Sequence, residues 1–153
     1  MARHPRWVLR LFSAGDLQTL ADAIADAERA TSAEIRVHLE PRVPRGGGDD
    51  ALGRARRVFA DLGMHRTAQR NGVLVYLALA DHRLAVVGDE GVHARVGDGY
   101  WARLRDLLVQ RLREGRPAPA LREAITELGR MLRQHFPRGP DDVNELSDEV
   151  SVR

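Results

Sequence analysis

The sequence predicts an α/β fold, an α/β/α sandwich in which helices cover both faces of a small mixed sheet of three to four strands. Two strand-like segments, residues 34–40 and 73–79, are separated by a helical segment, and such a crossover makes the strands parallel and right-handed. A third strand-like segment, residues 83–87, follows after a tight connection, which is typical of an antiparallel β-hairpin. Helical periodicity before, between and after these segments supplies the covering layers.

The first helix is predicted to begin at Asp16, a residue type favoured at helix N-caps. From there Leu17, Leu20 and Ile24 recur at the spacing that places apolar side chains on one helix face. The segment 34–40 alternates apolar and polar residues, which indicates a strand with one buried face.

The second helix is expected to begin after Asp49 or Asp50 and to continue to about Leu62. The following segment, residues 73–79, is apolar throughout, as in a central strand that is covered on both faces.

Two more helices are predicted in the second half of the chain. The glycine-rich stretch 88–99 predicts a loop that leads into a helix over residues 100–113. Pro117 and Pro119 end that helix because proline lacks the amide donor, and a last helix covers about residues 121–134.

Composition excludes several classes of protein. The length of 153 residues fits one domain, and the absence of cysteine excludes a disulfide scaffold and a thiol nucleophile. All 24 basic residues are arginine, and they exceed the acidic residues by only two, so a nucleic-acid partner is not expected. The longest apolar run, residues 73–80, is too short to cross a bilayer. We therefore expect a soluble, cytoplasmic protein.

Three segments differ in character: an N-terminal extension (1–12), the α/β domain (13–138) and an acidic C-terminal tail (139–153). Trp7, Val8, Leu11 and Phe12 lie on one side of the extension, opposite its three arginines, if it is helical. This pattern fits peripheral contact of residues 3–12 with an anionic membrane, docking on a partner protein, or packing on the domain itself.

Carboxylates gather at one predicted edge of the sheet, where the parallel strands end. Asp49, Asp50 and Asp81 provide oxygen ligands of the kind that Ca²⁺ and Mg²⁺ prefer. The alternative is structural, because aspartate is also favoured as a helix cap and in turns.

The opposite edge offers a second candidate site. Its acidic residues are Glu34, Asp89 and Glu90, and Arg70 and Arg83 are the candidates for binding an anion such as phosphate. The alternative is again structural: Glu34 forms an ion pair, and the neighbouring residues form turns. Those turn residues are Asn71, Gly72, Gly88 and Gly91.

Four ordered segments resemble the TPM domain family, and specifically a short bacterial branch without a signal peptide or membrane span. They are residues 31–37 (TSAEIRV), 70–76 (RNGVLVY), 81–93 (DHRLAVVGDEGVH) and 135–146, which begins with His-Phe-Pro. The resemblance implies an α/β sandwich with a small mixed sheet. It also implies Ca²⁺ or Mg²⁺ bound by acidic loops in some members, an acid phosphatase activity in others, and a LemA-type membrane protein as partner of bacterial members.

This chain departs from the phosphatase-associated members at two positions. Those members tend to carry Gly-x-Gly-x-Glu after the third strand, where this chain has His93 in the place of the glutamate. They also tend to have an acid before the Asn-Gly pair, where this chain has Arg70. We therefore expect a binding module of an envelope-associated complex, at the inner face of the membrane. The alternative is a divalent-metal-dependent acid phosphatase that acts at an acidic edge of the sheet.

Overall fold

The structure is a computed structural model that describes residues 5–44, 50–139 and 150–152. Its helices and strands follow one another in this order: α1 (Arg6–Leu9), α2 (Ala14–Glu28), β1 (Glu34–Glu40), α3 (Ala51–Asp61), a 3₁₀ turn (Met64–Arg66), β2 (Gly72–Ala78), β3 (Arg83–Gly88), α4 (Glu90–Glu114), α5 (Pro117–His135) and β4 (Ser151–Val152).

The four strands form one mixed sheet in the order β3-β2-β1-β4. Strands β1 and β2 are parallel, with Glu34 opposite Gly72 and Glu40 opposite Ala78. Strand β3 pairs with β2 in the antiparallel sense, and β4 lies parallel to β1, with Ser151 opposite His38. The predicted parallel pair followed by a hairpin is confirmed.

Helices cover both faces of the sheet. On one face, Val37 and Val75 pack with apolar side chains of α2, α4 and α5 in the larger core. On the other face, Leu74, Tyr76 and Ala85 pack against α3 in a smaller core. The α/β/α sandwich predicted from the sequence is therefore confirmed.

Strand β1 is buried on both faces, so the prediction of a half-buried strand is wrong. Its polar residues His38 and Glu40 are 0% and 3% exposed and face α3. Polar side chains are compatible with burial when other protein groups satisfy their hydrogen bonds, and alternation alone does not reveal this.

Helix α2 begins before Asp16, because the N-cap is Ser13. The Ser13 hydroxyl accepts a 2.9 Å hydrogen bond from the amide of Asp16, and the Asp16 carboxylate accepts one of 2.9 Å from the amide of Ser13. This reciprocal capping box satisfies two amides at the helix start. Asp16 thus takes part in capping, but from the third helical position.

The predicted starts of the last two long helices are also wrong, whereas their predicted ends lie within one residue of the observed ends. Helix α4 begins at Glu90 rather than near residue 100, and its glycine-rich part is helical apart from Gly97, where φ is 75°. Helix α5 begins at Pro117, because proline is tolerated in the first turn, where the missing amide has no intrahelical acceptor.

The leading segment packs on its own domain, one of the three arrangements that its pattern allowed. Val8 and Phe12 are fully buried in the larger core, whereas Leu9 and Leu11 are 47% and 43% exposed. At the other terminus, residues 140–149 lie outside the described residues, while Ser151 joins the sheet. In the part of the chain that the structure describes, no helix is long and apolar enough to span a membrane.

Candidate functional site

At the edge where β1 and β2 end, the described aspartates serve the local backbone. Asp50 caps α3, and its Oδ1 accepts a 2.8 Å hydrogen bond from the amide of Gly53. Asp81 Oδ2 accepts a 2.8 Å hydrogen bond from the amide of Val43, and its Oδ1 lies 3.8 Å from Nη1 of Arg42. Asp50 and Asp81 thus act as a helix cap and a turn residue, the structural roles that the sequence also allowed. Asp49 lies outside the described residues.

At the opposite edge, Arg70 binds Asp89 in a two-pronged ion pair. Its Nε lies 2.8 Å from Oδ2 of Asp89 and its Nη2 lies 3.1 Å from Oδ1, while its Nη1 is 3.5 Å from Glu90 Oε1. Asp89 also caps α4 by accepting a 2.8 Å hydrogen bond from the amide of Glu90. The fold therefore brings Arg70, Asp89 and Glu90 together, as the sequence predicted for this edge of the sheet.

Asn71 and Glu34 lie at the same end of the sheet, where β1 and β2 begin. Asn71 is 1% exposed; its Nδ2 donates a 3.3 Å hydrogen bond to Ser32 Oγ, whereas its buried Oδ1 accepts none from the described residues. Glu34 is 2% exposed and lies opposite Gly72 in the parallel register. A buried carboxylate and a buried amide thus lie at the same end of the sheet as the Arg70–Asp89 pair.

The grouping of Arg83 with Arg70 is wrong. Arg83 opens β3 opposite Ala78, the last residue of β2, whereas Arg70 precedes the first residue of β2. Because a hairpin reverses the chain, the start of β3 lies beside the end of β2, which places Arg83 at the other edge of the sheet.

The predicted turn residues lie mostly in regular structure. Gly72 and Gly88 are in strands and Gly91 is in the first turn of α4, while the positive φ of 51° falls at Arg70. Gly91 is required for a different reason: a Cβ atom there would lie 2.3 Å from the carbonyl oxygen of Gln69. The close approach of α4 to this loop leaves no room for a side chain.

Neither edge assembles a metal centre from the described residues alone, among which no three His, Asp or Glu side chains are arranged to hold an ion. At one edge Asp50 and Asp81 accept backbone hydrogen bonds, and at the other Arg70 already pairs with Asp89. The binding of Ca²⁺ or Mg²⁺ therefore stays a prediction that these residues do not by themselves support.

A buried polar network in the smaller core was not predicted. Glu40 Oε2 accepts a 2.7 Å hydrogen bond from the Tyr76 hydroxyl, and both its carboxylate oxygens accept hydrogen bonds from Arg54. His38 Nε2 lies 3.2 Å from Glu40 Oε1, and its Nδ1 is 2.8 Å from the hydroxyl of Ser151. The network thus joins three strands to α3.

The environment of this network changes the pKa of Glu40 and that of Tyr76, which share a hydrogen bond. Burial on its own raises the pKa of the Glu40 carboxyl, but hydrogen bonds from Arg54, Tyr76 and His38 outweigh it and lower the pKa overall. Burial, reinforced by the Glu40 carboxylate, raises the pKa of Tyr76. One signal in the sequence could have found the network: polar residues at alternate positions of β1, together with a tyrosine in the otherwise aliphatic β2.

An apolar groove of about 550 Å³ lies where β2 ends and β3 begins. Leu11, Leu84 and Leu112 are part of its wall, and Arg83 and Arg113 are its two cationic residues. None of the described residues that line the groove is acidic. Sequence reasoning missed it because its wall comes from four separated parts of the chain.

The sequence model of the TPM domain matches residues 9–131 of this chain. The chain belongs to the TPM domain family. Its fold is similar to that of the BA42 protein from the psychrophilic bacterium Bizionia argentinensis, solved by NMR. The two share 35% sequence identity and a TM-score of 0.84 over 93% of this chain and 95% of that one.

Two more distant TPM-like folds support the same architecture. The N-terminal domain of a protein from P. gingivalis is 20% identical, with a TM-score of 0.68 over 84% of this chain and 83% of that one. The N-terminal domain of the cg2496 protein from Corynebacterium glutamicum is 15% identical, with a TM-score of 0.60 over 95% and 93% of the two chains. No curated protein matches the chain.

Proposed function

We propose that this TPM domain is a protein-binding module and that the groove beside Arg83 and Arg113 is its binding surface. The observation that carries the proposal is the combination of an apolar wall with cationic residues that are not neutralised. Among the described residues, neither Arg83 nor Arg113 has a carboxylate within ion-pair distance. Apolar surface bordered by charged side chains is typical of protein interaction sites.

The position of Leu11 supports the same proposal. Its side chain is 43% exposed and lines the groove, whereas its neighbour Phe12 is buried in the core. The segment that the sequence suggested for docking is therefore anchored by Val8 and Phe12 and offers Leu11 for contact. By the family resemblance, the partner is a LemA-type membrane protein, met in the cytoplasm at the inner face of the membrane.

The test is capture of membrane-protein partners by the full chain under mild solubilisation, with two matched variants. Leu11→Asp places a charge in the groove, while Leu9→Asp places one on a residue of similar exposure that does not line it. A specific partner should be retained by the wild type and by Leu9→Asp but lost with Leu11→Asp. Equal capture by both variants, or no specific partner, would count against a binding role for the groove.

A second candidate function is phosphatase activity that depends on a divalent cation. It is favoured by the gathering of Arg70, Asp89 and Glu90 beside Asn71, whose buried Oδ1 lacks a hydrogen-bond partner among the described residues. A guanidinium group is suited to binding phosphate. Turnover of p-nitrophenyl phosphate should then require Ca²⁺ or Mg²⁺, and should collapse in Glu34→Ala or, for the other edge, in Asp81→Ala. Turnover that is absent, or that both variants retain, rules this candidate out.

A further inference from the structure

The two lateral sides of the sheet, which run along its outermost strands rather than across the strand ends, differ in their pairing. The outer edge of β1 is paired with β4, whereas no strand of the described residues pairs with the outer edge of β3. The residues Arg83 to Gly88 carry a single charge and no proline, so they hold few of the residues that commonly prevent strand addition.

The register shows which backbone groups of β3 point outward. The amide of Asp89 donates a 2.9 Å hydrogen bond to the carbonyl of Gly72, so this opposite pair is hydrogen-bonded across β2 and β3. In an antiparallel ladder such pairs alternate along the strand. The amides and carbonyls of Leu84, Val86 and Gly88 therefore face away from β2.

Open space follows this edge along most of β3. A cavity of about 500 Å³ beside Leu84 and Val86 separates α3 from the side chain of Trp101 in α4. A second cavity of about 420 Å³ continues along Val87 and Gly88. At the other end of the strand, the groove defined above begins at Arg83.

The charges along the edge indicate what kind of strand fits. At the Arg83 end, Arg105 and Arg113 also line the cavities, whereas Glu90 and Asp98 line the cavity at the Gly88 end. The cations at the Arg83 end outnumber the one acidic residue there, Asp50. A partner with acidic side chains at this end complements that charge.

We propose that the partner binds as an extended acidic segment that adds a fifth strand to the sheet along β3. This inference rests on the proposed binding function and specifies how that surface is used. Backbone hydrogen bonds to Leu84, Val86 and Gly88 hold the segment, and its alternate side chains enter the groove and the cavity beside Trp101. Its acidic residues pair with Arg83 and Arg113. The length of β3 sets the segment at roughly six residues.

The probe is a synthetic eight-residue peptide in which valine alternates with a polar residue, glutamate in one half and threonine in the other, titrated into the ¹⁵N-labelled full chain. A second peptide of the same sequence carries an N-methyl group on every backbone amide, which removes all its backbone hydrogen-bond donors and leaves its charge intact. Arg83→Glu is compared with Arg122→Glu, a charge reversal at an exposed arginine of α5.

We expect amide shifts at Leu84, Val86 and Gly88, and at least a tenfold loss of affinity both on N-methylation and in Arg83→Glu. Arg122→Glu should bind like the wild type. Equal binding of the N-methylated peptide, or no binding of either peptide at roughly 1 mM, overturns strand addition. Self-association of the chain through the same three amides also overturns it, because the occupant is then a second copy. The Leu11→Asp and Leu9→Asp capture experiment judges the binding function separately from all these outcomes.

Discussion

The hydroxyl of Tyr76 donates a 2.7 Å hydrogen bond to Oε2 of Glu40, across two neighbouring parallel strands and inside the protein. Both residues are almost fully buried, and Arg54 reaches the same carboxylate from α3. The Glu40 carboxylate therefore holds the sheet to α3.

Replacing Arg54 by methionine should destabilise the fold by about 3 kcal/mol, because the buried carboxylate of Glu40 then has no cation. The Arg54 side chain is only 13% exposed, so water replaces little of the lost interaction. The free energy of unfolding in urea measures this. Arg56→Met, at an exposed position of the same helix, is the control and should unfold like the wild type. Equal unfolding of the two variants would contradict the role assigned to Arg54.

Stability should depend on pH through Glu40. Its pKa is lower in the folded state than the ordinary value of 4.5, so its contribution is complete above about pH 4.5 and is lost as the pH falls through the folded pKa. The difference in unfolding free energy between the wild type and Glu40→Gln should therefore shrink from pH 7 towards pH 3. Urea unfolding at a series of pH values checks this, and a constant difference would show that the pKa is not lowered.

Asp89→Ala should destabilise the protein by about 1–2 kcal/mol, because α4 loses the carboxylate that caps its first turn. The same change removes the partner of Arg70. Asp98→Ala is a suitable control, since the Asp98 side chain is 99% exposed. Thermal unfolding of both variants distinguishes a structural role of Asp89 from a purely catalytic one, which would leave the melting temperature unchanged.

Alanine substitutions at two glycines of α4 should have opposite effects. In Gly91→Ala the new Cβ would lie 2.3 Å from the carbonyl oxygen of Gln69 and 2.6 Å from that of Arg70, so the backbone must shift. This shift should lower the free energy of unfolding by about 2 kcal/mol. In Gly99→Ala the atom nearest to the new Cβ is 3.3 Å away, at the end of the flexible Arg103 side chain. Alanine favours the helix more than glycine does, so the free energy of unfolding should rise by roughly 0.5 kcal/mol. Urea unfolding measures both, and changes of the same sign would refute the predicted close approach at Gly91.

Local patterns in the sequence were enough for most of the fold. The periodicity of Leu17, Leu20 and Ile24 identified a helix, and the crossover followed by a hairpin gave the strand order β3-β2-β1. Helix bounds were less predictable. The glycine-rich stretch around Gly91 was predicted to be a loop because glycine usually marks turns. In the structure Gly91 is helical, and it lacks a side chain because α4 packs closely against the carbonyl of Gln69.

The candidate site was predictable only where sequence neighbours or sheet topology bring residues together. Arg70, Asp89 and Glu90 meet because a hairpin returns the chain to the start of β2. The same topology separates Arg83 from them, a consequence that the residue types alone did not reveal. The groove beside Arg83 was unpredictable, since its wall combines the leading segment, the sheet, α4 and α5.

The sequence by itself determined the family, the α/β/α class and the absence of thiol chemistry, because these depend on residue type and short-range spacing. The tertiary structure decided which polar residues are buried in structural contacts and which stay exposed. Glu40 became a buried partner of Tyr76 and Arg54, while Arg83 stayed exposed beside an apolar groove at the start of β3. The physical reason is that burial and pairing depend on contacts between distant parts of the chain, which no local pattern encodes.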